Sequence, residues 1–440
     1  MKACVVQPPL KSMLHGSDER LNPAGTHDAA VLAEAGWKVS ILNLEANPDD
    51  QLHRGWAKLS DASWALSDVL ASDAREGIEE KARERLATEQ PDVVVVESGD
   101  WAVPAKDLSD PIVDLWLGLC LREMKCRTVC VGSHCTFNSA PFLEVYDAVV
   151  KGVPGRALLS AVSGKNGSIE GRGPEDYRHV MPHLNSLWPN GADLSRVISE
   201  FGCPWGRCSF CPSALMYDGV CVAKDNDVFV RDVARRPEHR ISIVDNYFAH
   251  DLARLRELAP RLGKLDREYV VDCRCEVADR PEALRLLRKM GTRMIKIGIE
   301  SLSDQTLHCM EKKQTAAEVT RRVDTLVEKG FEVFAYLLLG TPCDSTRNME
   351  QTLKRAEELA GRVSWLPNFF CEPGDLDPRT HHFSRPQARR LGIPDELVER
   401  ALALCDQPDR QTDASRSPHC RTGSADRTRR AGNLVANGET

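Results

Sequence analysis

Short apolar runs of β type recur through the first third of the chain, at residues 3–6, 38–42 (KVSIL), 92–97 (DVVVVE), 127–132 (RTVCVG) and 147–150 (DAVV). Stretches long enough for helices separate them, as around 29–36 and 114–125. Continuous rather than alternating Val/Ile runs mark strands buried on both faces, as in a parallel sheet covered by helices. The pattern predicts a doubly wound, Rossmann-like α/β domain over residues 1–160. Ligands of such sheets sit beyond the carboxyl ends of the strands, so the loops after Val6, Glu97 and Gly132 would border a site. A stretch rich in Gly, Asn, Ser and Pro (SGKNGSIEGRGPED) then predicts a linker over 161–194.

From 195 a regular beat of strand and helix sets in. Strands are predicted at 197–202, 240–246, 268–276, 293–301, 332–340 and 363–372, and helices at 251–262, 280–290, 316–329 and 346–361. Six such units over 195–375 suit a partial (β/α)6 barrel, whose chemistry sits at the carboxyl ends of its strands. A helical extension over 376–404 and a polar tail over 405–440 follow; the tail lacks apolar periodicity and is expected to be disordered. Within two barrel strands the pattern alternates: Val271, Cys273 and Cys275 against Asp272, Arg274 and Glu276, and Ile295, Ile297 and Ile299 against Lys296, Gly298 and Glu300. The helix-covered face must be apolar, so Asp272, Arg274, Glu276, Lys296 and Glu300 are expected inside the barrel and Cys273 and Cys275 against helices. Charges buried there need a ligand or one another.

Composition narrows the classes. The 440 residues are 42% apolar and 28% charged, with 58 Lys+Arg against 65 Asp+Glu and a net charge of -7. Nothing in that balance invites nucleic acid or an anionic membrane, and small-molecule substrates are expected. No run approaches the roughly 18 apolar residues of a membrane span, and MKACVVQPPL is too short for a signal core. A cytoplasmic protein is therefore expected. Such a chain needs no disulfides, and isolated cysteines such as Cys4, Cys221, Cys309, Cys371 and Cys405 read as small buried hydrophobes.

One cysteine group differs. ISEFGCPWGRCSFCPSALMYDG at 198–219 sets Cys203, Cys208 and Cys211 in the spacing C-x4-C-x2-C. Three thiolates on one glycine-containing loop can converge on a metal centre, whereas disulfides would leave one unpaired. Structural zinc is one reading and needs a fourth ligand, for which Cys221 is the nearest candidate. A [4Fe-4S] cluster is the other, with one iron left open to an exogenous ligand.

Here the sequence resembles the radical S-adenosylmethionine (SAM) superfamily, with three clustered Cys after the first barrel strand and an aromatic, Phe210, before the third. DNYFAHD at 245–251, KIGIES at 296–301 and YLLLGTPCDST at 336–346 resemble the motifs of the second, fourth and fifth strands. The usual spacing is C-x3-C-x2-C; the longer first gap contains Gly206, which can take positive φ and absorb the extra residue. The resemblance implies that Cys203, Cys208 and Cys211 hold a [4Fe-4S] cluster whose fourth iron binds SAM. An electron donor such as flavodoxin or ferredoxin then drives formation of a 5′-deoxyadenosyl radical. It further implies SAM contacts for Phe210, Asp245, Asn246, Glu300 and Gly340; Asp272, Arg274 and Lys296, placed inside the barrel by the alternation, join Glu300 as candidates for the catalytic set.

The N-terminal part (VVQPPL, AAVLAEAGWKVSILNLE, PDVVVVES and VGSHCTFNSAPFLEVYDAVVKGVPG) resembles the cobalamin-binding domain that precedes the barrel in one radical SAM subgroup. The D-x-H-x-x-G cobalt-ligand motif is absent, and His134 is the imidazole at the expected edge. Three functions follow: a cobalamin-dependent C-methyltransferase of natural-product (antibiotic) biosynthesis, a cobalamin-independent radical dehydratase, deoxygenase or rearrangement enzyme on a polyol or aminosugar, and a non-catalytic metal-cluster scaffold.

Overall fold

A computed structural model describes residues 1–8, 22–43, 83–84, 86–104, 111–184, 194–376 and 385–405. The tail expected to be disordered lies outside the described residues after Cys405. The first layer runs β1 (Lys2–Gln7), α1 (Pro23–Glu34), β2 (Lys38–Asn43), β3 (Val93–Glu97), α2 (Pro111–Leu121), β4 (Arg127–Val131), α3 (Ser133–Phe137), α4 (Ser139–Leu143), β5 (Ala148–Lys151), α5 (Ala157–Val162) and β6 (Gly167–Glu170). Its six strands are parallel, in the order β2-β1-β3-β4-β5-β6. Val94, Val96 and Cys130 join the core on one face, and Val93, Val95 and Val129 the core on the other, which is why the valine run is unbroken. The strand order reverses between β1 and β3, the position at which doubly wound folds bind ligands.

The segment expected as a linker differs. Residues 167–170 pair with β5 as the sixth strand, and Tyr177 beyond them is fully buried. Only one apolar side chain of β6, Ile169, reaches the core, so a strand on the sheet's edge has the composition of a loop.

The second layer comprises β7 (Arg196–Val197), β8 (Glu200–Gly202), α6 (Pro212–Tyr217), β9 (Cys221–Ala223), α7 (Asn226–Ala234), β10 (Arg240–Ile243), α8 (Leu252–Leu262), β11 (Glu268–Cys273), α9 (Pro281–Met290), β12 (Thr292–Glu300), α10 (Asp304–Cys309), α11 (Ala316–Glu328), β13 (Glu332–Leu339), α12 (Thr346–Glu358), β14 (Ser364–Phe369), α13 (Arg385–Arg390) and α14 (Asp395–Ala403). Six parallel strands follow one another in chain order from β7 to β14, an open (β/α)6 barrel, with β8 and β9 as a separate antiparallel hairpin. Helix starts are fixed by Asp225, Asp251 and Ser345, and by a capping box at Thr315 and Glu318. Val271, Cys273, Ile295 and Ile297 pack against the helices, whereas Val270, Met294, Phe334 and Leu366 form a small separate cluster on the opposite face.

Two predicted barrel strands are shorter than expected. The run 197–202 breaks after Val197 because Asp245 accepts the amides of Ser199 at 2.7 Å and Glu200 at 3.2 Å, taking them out of the ladder. The chain turns there into the β8–β9 hairpin. The run 268–276 ends at Cys273, and a 3-10 turn takes over at Cys275–Asp279.

The two layers meet on a buried seam in which Trp101, Tyr177, Phe201 and Val244 share one core. Trp101 lies 4.6 Å from Tyr177 and 5.7 Å from Phe201, centroid to centroid. The Tyr217 hydroxyl donates to the carbonyls of Trp101 and Ala102, and Lys224 Nζ lies 3.0 Å from His27 Nε2. No helix among the described residues is long and apolar enough to cross a membrane.

Candidate active site

The three clustered cysteines lie on the loop between β8 and α6, at the carboxyl edge of the barrel and beside the seam. Gly206 takes φ +55°, and a Cβ there would stand 2.9 Å from Gly219 Cα, so the longer C-x4-C gap closes on a glycine. All three thiols are free and partly accessible. Among the described residues the one group of three metal-type donors found within 4.8 Å of one another is Glu200, Cys221 and His250, so Cys221 belongs to another group. Structural zinc on the loop would then want for its usual fourth ligand, whereas three thiolates suit a [4Fe-4S] cluster that leaves one iron open. Burial pushes the Cys208 thiol up, opposed by Lys312 and Arg274, and burial pushes Cys211 up to about 11. Binding metal therefore expels protons from these thiols.

Cations and struts hold this loop. Arg274, the residue after β11, stacks its guanidinium 4.2 Å from the Trp205 ring and donates to Lys312 O at 2.8 Å. It pairs with Glu276 at 2.5 Å and lies 3.9 Å from Cys208 Sγ. Arg274 thus leaves the strand's inner face for the cysteine loop. Lys312, which sequence reasoning missed, is 4% exposed. Its ammonium donates to Gly298 O at 2.8 Å, lies 3.6 Å from Glu300 Oε1 and 5.8 Å from the Phe210 ring. One side chain therefore connects the fourth strand, its terminal carboxylate and the cysteine loop. Its signal in the sequence is a lysine pair after the KIGIES motif. Glu300 follows a register shift and takes φ +68°, a strained conformation for a non-glycine residue, and burial raises its carboxyl against the pull of Lys312.

The second-strand candidates serve the same loop. Asp245 is buried, accepts from the Ser199 hydroxyl and two amides, and is pushed up to about 6 by burial and by Glu200. Asn246 donates to Gly202 O at 3.0 Å and accepts from Ser213 Oγ at 2.9 Å. Gly340 turns at φ +79°, and its bare face is covered by Leu391 and Ile393, whose methyls would lie 2.8–2.9 Å from a Cβ. The C-terminal extension packs on that face. Asp272 and Lys296 sit side by side in register on the face of Val270 and Met294, with Lys296 Nζ 5.6 Å from the Phe334 ring. Cys273 and Cys275 lie on the helix side.

Two cysteines expected as bland are bonded. Cys309, ending α10, pairs with Cys343 after β13 in a disulfide with a Cα separation of 5.6 Å. The adjacent strands β12 and β13 bring their following loops together, a proximity that sequence separation hides.

At the N-terminal edge, His134, the second residue of α3, has Nδ1 3.0 Å from Asp114 Oδ2, which also accepts from Ser98 Oγ at 2.6 Å. A carboxylate on one ring nitrogen orients the imidazole at this edge. Nearby, Asp28 accepts from Trp101 Nε1 at 2.9 Å and from the Tyr177 hydroxyl. Burial pushes Asp28 up to about 7, and burial with Asp28 as neighbour holds Glu97 well above the carboxylate range.

Residues 197–356 match the model of the radical SAM superfamily. Over 268 residues, 57% of each chain, the sequence is 20% identical to an uncharacterized methyltransferase of Pyrococcus horikoshii. Over 188 residues, 41% of this chain and 40% of the relative, it is 23% identical to the bacteriochlorophyllide d C-12(1)-methyltransferase of Chlorobaculum tepidum. The chain spans about half the length of these curated relatives. Among solved structures it is similar to the radical SAM methyltransferase TsrM of Kitasatospora setae, solved with cobalamin and a [4Fe-4S] cluster (TM-score 0.61, 16% identity, 86% of this chain and 74% of that one). It is also similar to the cobalamin-dependent SAM radical enzyme OxsB with aqua-cobalamin (TM-score 0.57, 15% identity, 92% and 57%). The fold is that of cobalamin-dependent radical SAM enzymes.

Proposed function

We propose that the chain is a radical SAM methyltransferase that uses cobalamin to methylate an unreactive carbon of a small molecule in natural-product, including antibiotic, biosynthesis. The carrying observation is the set of three free thiols on one loop at the junction of a barrel with a cobalamin-type domain. Bound there, a [4Fe-4S] cluster with SAM supplies a 5′-deoxyadenosyl radical, and cobalamin supplies a methyl carrier. Cys203, Cys208 and Cys211 hold the cluster, and Arg274 and Lys312 set positive charge beside thiolates and an incoming electron. That electron comes from a flavodoxin or ferredoxin. Glu300 offers a carboxylate to the cationic cofactor, and Asp272 and Lys296 orient polar groups of the substrate. His134, steadied by Asp114, faces the corrinoid.

The pairing of Asp272 with Lys296 on the inner face also favours a second reading, radical dehydration, deoxygenation or rearrangement of a polyol or aminosugar without cobalamin. Corrinoid quantitation on anaerobic protein co-expressed with cobalamin uptake decides between them. Bound cobalamin and methyl transfer support the first; 5′-deoxyadenosine formed with no bound corrinoid overturns it and leaves the second. Alanine at Cys203, Cys208 or Cys211 is expected to remove 5′-deoxyadenosine formation; unaltered formation overturns both.

A further inference from the structure

We propose that Glu200, Cys221 and His250 form a second metal site, distinct from the three-cysteine loop, that takes a single divalent ion of the zinc class. Glu200 opens β8, Cys221 opens β9, and His250 stands in the loop between β10 and α8. In the hairpin ladder Glu200 faces Ala223 and Gly202 faces Cys221, so Glu200 and Cys221 are diagonal neighbours on one face. Their donor atoms and that of His250 lie within 4.8 Å of one another. Cys221 Sγ is 2.9 Å from Glu200 Oε1, and His250 Nε2 is 2.8 Å from the same carboxylate.

Glu200 is 4% exposed and Asp245, whose carboxylate accepts the Glu200 amide, is 1% exposed. Positive charge from Arg254 and Lys224 already acts on Asp245, and His250 faces Glu200, so an ion here would take over the contacts that Glu200 makes with Cys221 and His250. A thiolate, an imidazole and a carboxylate together match borderline ions such as zinc rather than calcium or magnesium. Tetrahedral zinc needs its donors roughly 3.3–3.6 Å apart, at least about half an ångström wider than the Glu200 contacts with Cys221 and His250. A small cleft lined by Glu200, Asp245, Tyr247, His250 and Arg254 opens beside two of the three donors.

The position gives the ion a role. Residues 203–220, with all three cluster cysteines, leave the hairpin after Gly202 and return at Cys221. An ion shared by Glu200 and Cys221 clips the base of that loop, and His250 ties the clip to the second barrel strand. Closing a loop at its base removes much of its freedom before any cluster is bound.

Zinc analysis of the full chain with Cys203→Ala, Cys208→Ala and Cys211→Ala combined tests this without any cluster or activity. About one zinc per chain is expected. Adding Cys221→Ser is expected to abolish it, and adding His250→Asn to weaken zinc binding by more than the roughly 10–100-fold that loss of an outer-shell partner costs. Cobalt(II) in place of zinc should give a thiolate-to-cobalt charge-transfer band that Cys221→Ser removes. If Cys221→Ser fails to fold, by circular dichroism, the His250→Asn comparison decides. Background zinc in the three-alanine chain, or zinc and cobalt binding unchanged by both further substitutions, overturns the proposal and leaves Glu200 satisfied by its two hydrogen bonds alone.

Discussion

The carboxyl edges of the two parallel sheets use polar residues in opposite ways. At the barrel edge, Asp245, Asn246, Arg274 and Lys312 bond to the segments that flank the cysteine loop or stack on its rings, leaving its three cysteines free and partly accessible. At the N-terminal edge, Asp28 and Glu97 are buried against each other and against Trp101 and Tyr177, in the seam that joins the layers. Polar groups aimed at a loop pre-organise it for a ligand, whereas polar groups aimed at one another fix an interface. Among the described residues, His134, with Asp114 behind it, is the nearest counterpart of the barrel's arrangement on the N-terminal side.

Four substitutions test this contrast, beginning with the seam itself. Phe201→Ala removes a fully buried ring shared by both layers and is expected to cost about 3–5 kcal/mol in denaturant unfolding. A loss below 1 kcal/mol would mean that the layers are held together elsewhere. Lys312→Ala leaves Glu300 buried without its cation, for about 3 kcal/mol, and should reduce SAM cleavage beyond its effect on melting temperature. Equal losses in both would reduce Lys312 to a packing residue. Gly206→Ala forces a left-handed Cβ against Gly219, for about 1–2 kcal/mol, and should lower iron content after reconstitution while the seam unfolds as before. The smallest effect is a pH dependence. Asp28 is held up to about 7, from an ordinary value near 4. Its folded form binds the proton more tightly, so its contribution is complete below about pH 4 and lost as pH rises through 7. Asp28→Asn should flatten the fall in melting temperature between those pH values; an unchanged slope would assign it to other groups.

Much of this was legible in the chain. Unbroken valine runs require two covered faces, and the helix-strand beat from 195 onward requires a parallel layer, so both sheets followed from burial alone. The three-cysteine loop was legible because three thiols in one short segment cannot pair off. The edge strand Gly167–Glu170 was not, since a strand that buries one side chain carries almost no apolar signal. The end of the first barrel strand was hidden because a side chain from another strand, Asp245, takes its amides.

The sequence by itself determined the two layers, the order of their strands' chemistry and the three thiols, because these depend on burial patterns and spacings within single segments. The tertiary structure alone decided what those thiols face. Lys312, Arg274 and Trp205 meet across more than a hundred residues, Cys309 finds Cys343, and Glu200, Cys221 and His250 converge from three elements. Such meetings are set by which strands lie adjacent, and adjacency is fixed by packing rather than by any local pattern.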